Sequence, residues 1–133
     1  MTPQENDVIV VVDDEPANLD LIVFLLRSHG YQVWPAPDGQ QALEAIALYA
    51  PLLVLLDLQL PDIDGCALAR QLRGDPATAT IGILAVSARV MPGDQELARD
   101  AGCDGYVTKP IDIHRFPACV ASALTLARAR RAS

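Results

Sequence analysis

Unbroken apolar runs alternate along the chain with stretches in which apolar positions recur every three or four residues. Residues 8–12 are all valine or isoleucine, residues 52–56 read Leu-Leu-Val-Leu-Leu, and residues 81–86 are apolar apart from Gly82. Runs of five or six such residues suit strands covered on both faces, as in a parallel sheet. Shorter strands are predicted at 32–35 and 106–108. Between the strands the helical period predicts helices at 18–29, 40–49, 65–72 and 92–100, and a last one reaching to about residue 130. Local punctuation agrees. Pro16 suits a first helical turn, Gly30 a helix stop, Asp38 a cap, and Gly102 another stop. Pro117 would break a helix interior, so the last helix is expected to start or kink at Phe116-Pro117, after an irregular lead-in over 111–115.

Strand and helix thus alternate five times with short connections. That order implies an α/β fold: a parallel sheet with helices on both faces, joined by right-handed crossovers. The first helix carries more apolar residues than one face needs. Leu21, Ile22 and Leu25 would suffice to meet the sheet, which leaves Leu19, Val23 and Leu26 as a second stripe for neighbouring helices or a partner. At 133 residues one domain is expected, with a core over about 7–127 and a solvated basic tail at 128–133.

The strand ends carry the chemistry. The first run stops at Asp13-Asp14, the third at Asp57, the fourth at Ser87 and the fifth at Lys109. Taken alone, Asp57 could simply cap the following turn. In a parallel sheet, however, the carboxyl ends of the strands share one edge, where ligands bind. Three carboxylates gathered there repel one another and call for a cation. Hard oxygen ligands suit Mg²⁺, with Mn²⁺ as a substitute. Lys109 is the only lysine; the other nine basic residues are arginine. A lysine is a compact point charge able to reach a single oxygen in a tight site. Phosphoryl transfer to a carboxylate needs such a set. Asp57 would be the nucleophile, Asp14 a metal ligand with Asp13 behind it, Ser87 the hydroxyl and Lys109 the cation.

Composition narrows the alternatives. The chain is 51% hydrophobic and 20% charged, which fits a folded domain. A net charge of −7 argues against nonspecific binding to nucleic acid or anionic membrane. No apolar run approaches the roughly 20 residues that span a bilayer. Residues 1–7 lack the features of a signal peptide. Cys66, Cys103 and Cys119 show no zinc-site spacing, so reduced thiols and a cytoplasmic location are expected.

Together, Val12-Asp13-Asp14, Leu56-Asp57-Leu58-Gln59-Leu60-Pro61 with Gly65, Ser87-Ala88 and Tyr106-Val107-Thr108-Lys109-Pro110 resemble the receiver domains of bacterial two-component response regulators. The resemblance covers roughly residues 8–127. It implies a flavodoxin-like (βα)₅ fold with strand order 2-1-3-4-5. It further implies that a sensor histidine kinase or a histidine phosphotransfer protein donates a phosphoryl group to Asp57. Asp14, Asp57 and the backbone carbonyl of Gln59 would hold Mg²⁺, with Asp13 acting through water. Ser87 and Tyr106 would form the switch, and Gln59 and Arg89 would tune the lifetime of the acyl phosphate. The Lys109–Pro110 bond resembles one commonly cis in the family. Ser replaces the commoner Thr at 87, and Pro117 puts the usual partner surface in doubt. Leu19, Val23 and Leu26 could meet a phosphotransfer bundle or a second copy of the chain. No DNA-binding segment is evident, so output through a downstream protein is expected. Two other readings are a degenerate receiver and a phosphohydrolase with an aspartyl intermediate. Retention of all the chemical positions opposes the first. The second, if of the haloacid dehalogenase type, needs an acid where Gln59 stands.

Overall fold

The computed structural model describes residues 8–88 and 91–132. Five strands and five helices alternate strictly: β1 (Val8–Val12), α1 (Pro16–Ser28), β2 (Gln32–Ala36), α2 (Gly39–Tyr49), β3 (Leu53–Asp57), α3 (Gly65–Gly74), β4 (Gly82–Ser87), α4 (Asp94–Asp100), β5 (Gly105–Thr108) and α5 (Phe116–Ala132). The strands form one parallel sheet in the order β2-β1-β3-β4-β5. This is the flavodoxin-like order that the resemblance implies.

The unbroken apolar runs are explained by two cores, one on each face. Val10, Val12, Val54, Leu56, Ile83 and Ala85 point to the side covered by α2, α3 and α4. Ile9, Val11, Leu53, Leu55 and Leu84 point to the side covered by α1 and α5. Side chains alternate along a strand, so burial of both faces demands apolar residues at every position. Each fully buried aliphatic side chain contributes roughly 1.5–3 kcal/mol.

The first helix departs from expectation. Ile22, Val23 and Leu26 are buried in the core, and Leu19 and Leu25 pack partly against it. Leu21 is 37% exposed and Phe24 68% exposed. The inward face is therefore 19/22/23/26, the standard one-face spacing, and the supposed second stripe is part of the core. The partner surface expected at Leu19, Val23 and Leu26 is thereby withdrawn. Substitution of aspartate there would not leave the fold intact. Val23→Asp should cost more than about 3 kcal/mol, because a carboxylate would replace both methyl groups of a core side chain. Phe24→Asp should stay within about 0.5 kcal/mol of wild type, both read from urea unfolding.

The carboxyl end of the chain also departs. The predicted tail at 128–133 continues α5 as far as Ala132. Arg130 pairs with Asp104, and Arg131 donates to the Pro51 carbonyl at 3.4 Å. The basic residues are anchored because buried backbone carbonyls and one carboxylate need donors there. The predicted start at Phe116-Pro117 holds. Proline sits in the first turn, where its missing N–H costs no helix bond. The lead-in is closed by Asp112, whose carbonyl accepts the Arg115 and Phe116 N–H groups at 3.1 and 2.9 Å.

All three cysteines are unpaired. Burial pushes the Cys103 thiol up to about 12, so it behaves as an inert core side chain.

Candidate functional site

The sheet register brings the strand ends level. Val12 pairs with Leu56, Asp57 with Val86, and Ser87 with Thr108. One further bond, from the Lys109 N–H to the Ser87 carbonyl at 2.9 Å, carries the β4–β5 ladder past the last strand residue. The Lys109–Pro110 peptide is cis, as the resemblance implied. Asp13, Asp57, Ser87 and Lys109 therefore meet at one edge although they are scattered along the sequence.

Lys109 sits between two carboxylates. Its Nζ lies 3.1 Å from Asp57 Oδ2 and 3.0 Å from Asp13 Oδ2. The other oxygen of each aspartate is held by its own loop. Asp57 Oδ1 accepts the Gln59 N–H at 2.9 Å, and Asp13 Oδ1 accepts the Glu15 N–H at 2.9 Å. Aspartate favours such turns because its short side chain reaches the N–H two residues on. Both carboxylates are almost wholly buried, at 1% and 2% exposure, and Ser87 is buried beside them. Asp14 is exposed at the rim.

This burial governs the protonation of the site. Desolvation pushes the Asp57 carboxyl above the usual carboxylate range, with the Asp13 charge adding to it. The Gln59 N–H and Lys109 oppose the shift without cancelling it. For Lys109, burial works against the charge, but hydrogen bonds to Asp13 and Asp57 prevail and hold its pKa above the ordinary value.

One oxygen from each of Asp13, Asp14 and Asp57 lies within 4.8 Å of the others. Three carboxylates against one ammonium leave a local excess of two negative charges. The donors are all hard oxygen, so the residues fit a hard divalent cation.

The remaining expected residues fall into place unevenly. Tyr106 is half-buried and, with Ser87, Leu58, Gln59, Asp64 and Leu97, lines a cleft of about 320 Å³ beside the acidic edge. Arg89 lies outside the described residues. The direct Asp13–Lys109 pair was not foreseen, since Asp13 was expected to act through water. The lone lysine was the signal that could have suggested it. Asp62, which the sequence reading did not single out, caps the first turn of α2. No local motif announces a contact 23 residues away.

The comparisons agree with this geometry. A model of the response regulator receiver domain matches residues 9–121, and the chain belongs to that family. The polar-differentiation response regulator DivK of Brucella anthropi is 34% identical over 108 residues, covering 81% of this chain and 88% of that protein. The activated N-terminal receiver domain of RstA from Klebsiella pneumoniae is 33% identical with a TM-score of 0.81, covering 89% of this chain and 98% of that one. A CheY-like receiver domain protein from Methanospirillum hungatei shares the fold at a TM-score of 0.84 and 24% identity, over 92% of this chain and 96% of that one. The acidic cluster stands within a response regulator receiver domain of two-component signalling, and members of this family are signalling switches rather than conventional enzymes. No helix among the described residues is long and apolar enough to cross a membrane.

Proposed function

We propose that the protein is a phosphoacceptor switch in which Asp57 takes a phosphoryl group from a phosphohistidine. The P–N bond of the donor breaks and a bond between phosphorus and an Asp57 carboxylate oxygen forms. The observation that supports this best is Lys109 Nζ bridging Asp13 and Asp57 beside the exposed Asp14. It sets a nucleophile, a fixed cation and a candidate metal site at one edge.

Asp14 and Asp57, with the Gln59 carbonyl and with Asp13 through water, would hold Mg²⁺ or Mn²⁺. When bound, the metal neutralises charge on the transferring phosphoryl oxygens. The chain's own part follows from its residues. Burial removes water from around Asp57 and strengthens every charge interaction there. Lys109 is already beside Asp57 and supplies a fixed positive charge to a phosphoryl oxygen. Ser87, on the neighbouring strand, supplies a hydroxyl for another, and its shift toward the phosphoryl group would open space for Tyr106. Gln59 and Arg89 would set how readily water attacks the acyl phosphate. The donor would be a histidine kinase or a histidine phosphotransfer protein, and the altered surface around Tyr106 would meet a downstream protein. Dimer formation is one form that output could take. A cytoplasmic location fits this role.

Incubation with a small phosphodonor and Mg²⁺ should add one phosphoryl group, on Asp57, detected by intact mass and peptide mapping. Asp57→Asn should take none. Undiminished labelling of the Asn variant would place the nucleophile elsewhere and discard the reading.

A further inference from the structure

The loop between β3 and α3 is closed on itself and pinned at its tip. At its base the Gly65 N–H donates to the Leu58 carbonyl at 3.2 Å, and Gln59 bridges Asp64 in antiparallel fashion. At its tip Asp62 reaches across to α2. One carboxylate oxygen accepts the Gly39 N–H at 2.9 Å, and the other accepts the Gln40 N–H at 3.0 Å. These hydrogen bonds hold the Asp62 carboxyl below the usual carboxylate range although the side chain is in solvent.

Capping of α2 is shared between two loops, since Asp38 satisfies one of the orphaned N–H groups and Asp62 two others. Asp38, its own N-cap, already accepts the Gln41 N–H at 2.8 Å. The second cap comes from another loop, and the neighbouring residue seals it. A Cβ on Gly39 would lie 2.1 Å from Ile63 Cγ2, so only glycine lets α2 approach this closely. Two adjacent loop residues, one polar and one apolar, thus grip one helical turn. The gripped loop is the one that carries Gln59, whose N–H holds Asp57 Oδ1.

We propose that Asp62 is a positioning residue for the acidic site. By clamping the first turn of α2 it fixes the loop that presents Gln59 to Asp57 and to a divalent cation. This inference rests on the proposed function for the cation, and on geometry alone for the coupling to Asp57. Groups that orient a metal's ligands typically change its affinity 10–100-fold when removed. Linkage makes the coupling reciprocal, so cation binding must also tighten the clamp.

The test uses the full chain and variants Asp62→Ala, Asp62→Asn, Gly39→Ala and, as control, Asp38→Ala. Amide hydrogen exchange without metal is read at Gly39, Gln40 and Gln59, and Mg²⁺ affinity is read by calorimetry. Asp62→Ala and Gly39→Ala should speed exchange at Gln59 about tenfold and weaken Mg²⁺ about tenfold. Asp62→Asn, which keeps one acceptor, should recover part of both. Asp38→Ala should loosen Gln41 yet leave Gln59 exchange and Mg²⁺ affinity within about twofold. Added Mg²⁺ should slow exchange at Gly39 and Gln40 in the wild type. Faster exchange at Gly39 and Gln40 with Gln59 unmoved in Asp62→Ala would reduce Asp62 to a helix cap and overturn the proposal. A wild-type protein that takes no Mg²⁺ would sink the metal reading instead, and the exchange at Gln59 would still decide the role of Asp62.

Discussion

Replacing Lys109 by methionine should lower the unfolding free energy of the metal-free protein by about 3–5 kcal/mol at pH 8. The side chain is 12% exposed and faces two carboxylates at 1% and 2% exposure. Methionine keeps the stem and removes the charge, leaving Asp13 and Asp57 buried together with no cation. Removal of one partner of a buried ion pair is far more damaging than loss of an exposed pair, because the remaining charge is stranded. The deficit should shrink as pH falls, since the stranded carboxylates can then take up protons. Urea unfolding at pH 8 and pH 5 measures both. A loss below about 1 kcal/mol at pH 8 would mean that the site is solvated and that Lys109 does not hold it together.

Asp57→Asn should act in the opposite direction. An acid whose folded pKa is raised keeps its proton longer in the native state than in the unfolded chain. Stability from that group therefore falls as pH rises from the ordinary carboxylate value through the raised one. At neutral pH the ionised Asp57 is a net burden on the metal-free fold, and its neutral isostere relieves that burden. The nucleophile role proposed for Asp57 and the stability of the metal-free fold would thus be in conflict at this position, as expected where a charge is kept for chemistry.

Much of this was legible in the chain because the signals were local. Apolar runs ending in Asp13, Asp57, Ser87 and Lys109 announce both the strands and their chemical edge. Order and short connections then imply a parallel sheet with helices on both faces, while the strand order came from the family resemblance. What was not legible depends on tertiary neighbours. In α1, both candidate stripes contain apolar residues, and only the angle at which the helix meets β1 and the packing of α5 decides that Leu19 and Val23 face inward while Phe24 faces out. The anchoring of Arg130 requires Asp104, and the second cap on α2 requires Asp62; in sequence both acids look like ordinary loop residues. The Asp13–Lys109 pair is a matter of tenths of an ångström that spacing cannot convey.

Asp104 offers the second large effect, at the opposite edge of the sheet from Asp57. Its carboxylate accepts the Ile83 N–H at 3.0 Å, Arg73 Nη2 at 3.0 Å and both terminal nitrogens of Arg130. Arg73 comes from α3 and Arg130 from α5, so one acid ties together helices on opposite faces of the sheet. Arg73 also donates to the carbonyls of Gly102, Ala79 and Ile81, and burial holds its pKa below the ordinary value. Asp104→Ala would take the carboxylate counter-charge from a half-buried guanidinium, which keeps its carbonyl acceptors, and the acceptor from a strand N–H, and should cost about 3–5 kcal/mol. Arg130→Ala should cost no more than about 1 kcal/mol, because that side chain is 34% exposed and Arg73 stays behind to satisfy the acid. In the Asp104→Ala background, Arg130→Ala should cost almost nothing further, since the shared partner is gone. Urea unfolding of the four proteins closes the cycle. Phosphodonor labelling at Asp57 should survive in each of them while folded, because β4 separates Ile83 from Ser87 along its whole length. A loss below about 1 kcal/mol from Asp104→Ala would mean that the carbonyl acceptors alone satisfy Arg73 and that Asp104 does not tie the two faces together.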